Sequence, residues 1–217
     1  MTSVKICGLT NVEDAQMAMN LGADFLGFVN AEKSPRYLTP DEIARIITEV
    51  QPLVPTVLVT HSQDISQILN NFDAATTDIL QLHAQLTLDE YAEIMETAPT
   101  VIANVSVDAG LKKATEWLKT RVSQVSGIVD YILLDTRFGQ EIGGTGKTYD
   151  WSIAAALKAV SQKPIIIAGG LKPENVAEAV RQVRPFALDV SSGVESIVGR
   201  KDAEKVRAFI ENARPPL

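Results

Sequence analysis

The chain has 217 residues, 46% hydrophobic and 22% charged, with a formal net charge of −7. That composition suits a soluble globular chain long enough to bury a full core, and an acidic balance without a basic run excludes nucleic acid and anionic membrane as expected partners. A single cysteine leaves no internal disulfide and no run of about 18 apolar residues could span a bilayer, so a reducing cytoplasm is the expected setting.

The first stretch, Val4-Lys5-Ile6-Cys7-Gly8, reads as a short strand. Side chains alternate across a strand, so Lys5 and Cys7 share one face and Val4 and Ile6 the other. A face that carries an ammonium and the only thiol must look onto surroundings that tolerate charge. Thr10-Asn11-Val12-Glu13 has the spacing of a capping box and predicts a helix over 12–21, stopped by Gly22. The unit then repeats. Apolar strands are predicted at 25–29, 56–60, 79–83, 101–105, 131–135, 164–168 and 187–191. Thr39-Pro40-Asp41-Glu42 opens the second helix, with a capping threonine, proline at the first helical position and acids at the positive dipole end. Further helices are predicted over 62–72, after the capping box Thr87-Leu88-Asp89-Glu90, over 109–126, from Asp150 to about 160, from Pro173, and over 202–213.

No linker or break in composition divides the series, so residues 1–217 read as one domain. Eight strands alternating with eight helices imply an α/β fold with parallel pairing and right-handed crossovers. A doubly wound open sheet and a closed barrel both hold such units. The count of eight favours the (β/α)8 TIM barrel, typically about 250 residues, whose active face is built at the C-terminal strand ends. Cys7, His83, Asp135 and Ser191 all stand at such ends.

The same residues carry the chemistry. A free thiol is only slightly ionised at neutral pH, and a cation such as Lys5 would increase that fraction. Lys5 also has the parity to pair with Asp189, since strands one and eight are neighbours in a closed barrel. Asp135 ends an apolar strand, where a carboxyl facing a thiol across the mouth could form an acid/base pair. Gly169-Gly170 and Ser191-Ser192-Gly193 follow strands seven and eight, the pair of loops at which barrels often bind phosphate. Arg36 sits in the loop after strand two, where its fork suits a carboxylate or phosphate. Gly143-Gly144-Thr145-Gly146-Lys147-Thr148 lacks the first glycine of a nucleotide phosphate loop, because Glu141 holds that place; a ligand-covering loop remains. His61 and His83 are the only histidines, and with one cysteine and no clustered ligand spacing no metal is expected.

Taken together, these stretches resemble the phosphoribosylanthranilate isomerase family of tryptophan biosynthesis. The likeness rests on Lys5-Ile6-Cys7-Gly8-Leu9-Thr10, Lys33-Ser34-Pro35-Arg36-Tyr37, Leu80-Gln81-Leu82-His83 and Leu133-Leu134-Asp135. It continues through Gly143 to Thr148, Ala168 to Asn175 and Asp189 to Glu195, and so spans essentially the whole chain. The resemblance implies an Amadori rearrangement without a cofactor. Asp135 would be the general acid that opens the ribose ring, and Cys7 the general base that takes the C2 proton. It implies a small phosphorylated substrate held by Arg36, Gly144, Gly169, Gly170, Asp189, Ser191, Ser192 and Gly193, with Lys5 and His83 supporting, in a monomer or homodimer. The chain departs from the family pattern at Asn30-Ala31-Glu32, Ala84 and Ala103-Asn104, all expected near the mouth. Other readings of the same residues are a sister sugar isomerase of histidine biosynthesis, which has an aspartate where Cys7 stands, and an idle barrel that binds a phosphorylated ligand.

Overall fold

Most strands of the chain are buried on both faces, so they read as continuous apolar runs, and the helices have a dry stripe to lay against them. In the computed structural model, which describes residues 1–138, 141–142 and 150–214, strands and helices alternate apart from three short extra strands. They are β1 (Ser3–Ile6), α1 (Val12–Asn20), β2 (Phe25–Asn30), α2 (Pro40–Val50), β3 (Thr56–Thr60), α3 (Ile65–Ala75), β4 (Ile79–Leu82) and α4 (Leu88–Met95). Then come β5 (Val101–Asp108), α5 (Glu116–Val125), β6 (Tyr131–Phe138), a short β7 (Glu141–Ile142) and α6 (Trp151–Lys158). The chain closes with β8 (Ile165–Ile167), α7 (Val176–Val183), β9 (Ala187–Val190), a hairpin of β10 (Glu195–Ile197) and β11 (Arg200–Lys201), and α8 (Ala203–Ala213).

The strands pair in parallel in the order β5-β4-β3-β2-β1-β9-β8-β6, and β5 also pairs β6, which closes the sheet into the expected (β/α)8 barrel. β7 folds back antiparallel on the end of β6. The closing register sets Lys5 opposite Asp189 and Ile6 opposite Val190. Two cores result from the two faces. Val4, Ile6, Leu26, Leu58, Leu80 and Leu82 point outward against the helices, and Val57, Val59, Ile79, Ile102, Leu133 and Ile166 fill the barrel. Among the described residues, no helix is long and apolar enough to cross a membrane.

Local signals set most boundaries. Thr39 and Thr87 both form complete capping boxes, with Glu42 and Glu90 reaching back to the capping backbone. The first helix differs from its prediction: Asn11 is the cap, accepting from the Asp14 amide, while the Thr10 hydroxyl turns away to the Gly199 carbonyl. The amide side chain of Asn11 reaches the free amide group in the Asx manner and wins the place. The helix expected over 109–126 is also shorter. β5 runs on to Asp108, Gly110 folds onto the Asp108 carboxylate, and the helix begins only after its cap Thr115.

Candidate active site

Strand parity delivers the site. The inward positions are Lys5 on β1 and Cys7 directly after it, and Gly27 on the neighbouring strand leaves them room: a Cβ there would stand 2.9 Å from the Cys7 sulfur and 3.0 Å from the Lys5 Cε. Lys5 Nζ lies 3.2 Å from Asp189 Oδ1, and both side chains are buried. Burial by itself would lower Lys5, but Asp189 and then Cys7 outweigh it and its pKa rises. For Asp189 burial is the larger influence and raises its pKa against the pull of Lys5. These two directions oppose each other on the charge of the pair. An ammonium sealed inside a barrel has far more to lose without its carboxylate than with it, and the short contact makes the ionised pair the resting form. Asp189 therefore pairs with Lys5 from within the barrel, as its parity suggested.

The Cys7 thiol is pushed up from its ordinary value, first by burial and also by Asp189, with Lys5 and Lys201 opposing. The expectation that Lys5 favours the thiolate thus holds in sign only; desolvation wins because Cys7 is sealed by the β2 backbone and its own loop.

Asp135, expected to end its strand, lies within β6, which runs on to Phe138; it is buried, with its Oδ2 3.3 Å from His83 Nε2 on the loop after β4. The contact is within ion-pair range, but the nitrogen is not aligned as a hydrogen-bond donor. The exposed His61 ring stacks on His83 with centroids 4.8 Å apart and planes 28° from parallel. Desolvation of its covered face, and then His83, lower the His61 pKa, while Asp135 opposes.

The two glycine loops come together. Gly169 and Gly170 have φ of +88° and +65°, values that glycine adopts freely, and Asn175 accepts from the Lys172 amide and donates to the Gly170 carbonyl. Ser192 and Gly193 lie in a 3-10 turn, and a side chain on Gly193 would collide with the Leu171 carbonyl. The β9 loop is thereby seated directly on the β8 loop. Ser191 Oγ is buried without a partner among the described residues.

Arg36 is brought to the same rim, in the loop between β2 and α2. Its stem packs on Gly8, whose φ of +71° and missing Cβ let the arginine lie against the end of β1. Its fork is occupied. Nε donates to Glu195 Oε1 at 2.7 Å and Nη2 to Oε2 at 2.6 Å. Glu195 also accepts from Lys201 Nζ at 2.9 Å, and Lys201 Nζ donates to the Ser191 carbonyl at 3.2 Å. Gly144 lies outside the described residues.

Glu195, Lys201 and His61 went unassigned in the sequence reading. Glu195 and Lys201 belong to strands of three and two residues, too short for any periodicity to show. The inward parity of 57 and 59 was the available signal for His61. The departures divide. Ala84 and Asn104 line a cleft beside His83, together with Ser106, Trp117 and Arg121. Ala103, expected near the mouth, faces the helices instead, because it has the opposite parity. Asn30 is structural, donating to the Leu38 carbonyl and accepting from Asn71. Among the described residues, no three potential metal ligands cluster.

Comparison with known proteins gives a consistent result. The sequence model of the N-(5'phosphoribosyl)anthranilate (PRA) isomerase family matches residues 4–212. An N-(5'-phosphoribosyl)anthranilate isomerase of Trichlorobacter lovleyi is 42% identical, with both chains covered in full. The crystal structure of phosphoribosyl anthranilate isomerase from Thermotoga maritima superposes with a TM-score of 0.87 at 37% identity, covering 99% of each chain. A structure of phosphoribosyl anthranilate isomerase in complex with reduced 1-(o-carboxyphenylamino)-1-deoxyribulose 5-phosphate gives 0.84 at 36% identity, again over 99% of each.

Proposed function

The chain belongs to the N-(5'-phosphoribosyl)anthranilate isomerase family and is an isomerase of tryptophan biosynthesis; on that premise we propose that Cys7 and Asp135 carry the reaction as base and acid. Asp135 protonates the ribose ring oxygen of phosphoribosylanthranilate, the C1–O bond breaks and the anthranilate nitrogen forms an imine with C1. Cys7, as thiolate, takes the C2 proton, and the resulting enolamine tautomerises to the aminoketose. One proton is given and one taken, so no redox partner is needed. The phosphate sits between the loops after β8 and β9, and Arg36 holds the anthranilate carboxylate.

The observation that supports this most is the gathering, at one barrel end, of a thiol, a carboxyl beside an imidazole, an arginine and two interlocked glycine loops. Each acid/base group contributes about 10²–10⁴ in rate. The test is turnover of freshly made phosphoribosylanthranilate by the wild type, Cys7→Ser and Asp135→Asn. Losses of about a hundredfold or more in each variant, with melting unchanged, support the assignment. Binding without conversion by the wild type would leave only a phosphate-binding barrel.

A further inference from the structure

A guanidinium has two edges that can meet a carboxylate with paired hydrogen bonds: the side edge, Nε with Nη2, and the end edge, Nη1 with Nη2. In this molecule the side edge of Arg36 is taken by Glu195 in a fork-to-fork pair of 2.7 and 2.6 Å. We propose that Glu195 is a positioning residue for substrate recognition: it grips the side edge of Arg36 and leaves the end edge for the carboxylate of the substrate's aromatic ring. The proposal rests on the reading of Arg36 given above and extends it to a residue that never touches substrate.

The grip is itself anchored. Glu195 is buried, its backbone carbonyl accepts from Lys205 Nζ at 2.7 Å, and its Oε1 accepts from Lys201 Nζ at 2.9 Å. The Lys201 side chain is wholly buried, and its backbone amide donates to Asp14 of α1 at 2.8 Å. Lys201 Nζ also holds the Ser191 carbonyl, so one buried ammonium ties the arginine's anchor to the loop of the phosphate side. Two cations share one carboxylate here, which leaves a positive excess at the rim for an incoming anion to balance. Burial would raise the Glu195 pKa, but Arg36 and Lys201 outweigh it and hold the carboxyl ionised.

The same contacts would also serve the opposite role, in which Glu195 competes with the substrate for Arg36. The two roles differ in sign. The experiment compares KM for phosphoribosylanthranilate with the inhibition constant of N-(5-phosphoribosyl)aniline, which lacks the ring carboxylate, in the wild type, Glu195→Gln and Arg36→Met. Positioning predicts that Glu195→Gln raises KM roughly tenfold and changes kcat by less than about threefold, while the aniline analogue binds as in the wild type. Glu195→Asp, which keeps the charge on a shorter arm, should move KM in the same direction and serves if the glutamine variant does not fold. An unchanged or lowered KM in both variants overturns the proposal, as does an equal loss for substrate and analogue. Arg36→Met separates the failures: if that variant shows no carboxylate-selective loss, the reading of Arg36 itself is wrong.

Discussion

The two faces of one sheet have opposite characters. The outward face presents Val4, Ile6, Leu26, Leu58, Leu80 and Leu82 to helices whose buried side, as with Phe209 of α8, is equally apolar. The inward face begins apolar at the bottom, with Ile79, Ile102 and Ile166, and turns polar toward the C-terminal end with Lys5, Gln81, Asp135 and Asp189. It also tolerates buried polar atoms without partners among the described residues, including Gln81 Oε1, Asn104 Oδ1 and Ser191 Oγ. Each such atom costs about 1–3 kcal/mol, and the four at Gln81, His83, Asn104 and Ser191 gather at the barrel's C-terminal end, where stability has been traded for chemistry. A shift of one residue in parity separates the two functions.

The sharpest way to break that contrast is to remove charge from inside the barrel. Lys5→Met leaves Asp189 buried and uncompensated, and should cost about 3–5 kcal/mol in urea unfolding. It should also lower kcat/KM, since it removes the cation nearest the Cys7 thiol. The double change Lys5→Met with Asp189→Leu should recover most of the stability and none of the activity. Were the double variant as unstable as the single one, the pair would be a structural necessity and not a cost of function. On the outward face, Phe209→Ala should lose a similar 3–5 kcal/mol through cavity formation, while the molecules that remain folded keep wild-type kcat.

A smaller effect links the faces through pH. The Cys7 thiol has a raised pKa in the folded chain, against about 8.5 in the unfolded one. Below about 8.5 both states hold the proton and the stability is full. Above it the unfolded chain releases its proton first, so the free energy of unfolding should fall with pH by up to about 1.4 kcal/mol per unit until the folded thiol also ionises. Over the same window kcat/KM should climb, because the thiolate is the proposed base. Cys7→Ser should flatten the stability curve there. A wild-type activity that falls across this window would remove Cys7 from the role of base.

How much of this was legible in the sequence follows from the same contrast. The outward face and the helices carry strong signals: apolar runs of four to eight residues, two capping boxes and helix-starting proline, and these placed every barrel unit. The inward polar residues were legible where an apolar run leads up to them, as with Cys7 just past β1 and Asp135 within β6. Asp189 was legible by parity, although its work is with Lys5 inside the barrel. What could not be read is the set of contacts between segments far apart in the chain. Arg36 and Glu195 are separated by 159 positions, and nothing local to either announces the pair. Thr10 and Asn11 show the same limit at short range: both can cap a helix, and the choice fell to a tertiary bond from Thr10 to Gly199.

The mildest change tests whether the rim can be altered in function without any cost in stability. His61 is exposed, so it contributes little to folding, yet its inner face covers the His83 ring beside Asp135. Stacked aromatic pairs contribute about 0.5–1.5 kcal/mol beyond their buried area, which bounds the effect of losing the stack at roughly tenfold. His61→Ala should therefore lower kcat by about two- to tenfold, leave KM unchanged and leave the melting temperature within a degree or two of wild type. His61→Phe keeps a ring on His83 and should restore most of the rate. If the alanine variant loses stability instead of rate, His61 belongs with the outward face in character, and the separation of the two faces ends short of the rim. If phenylalanine fails to rescue, the His61 nitrogens rather than its ring matter to His83, and the stack is incidental to the proposed acid.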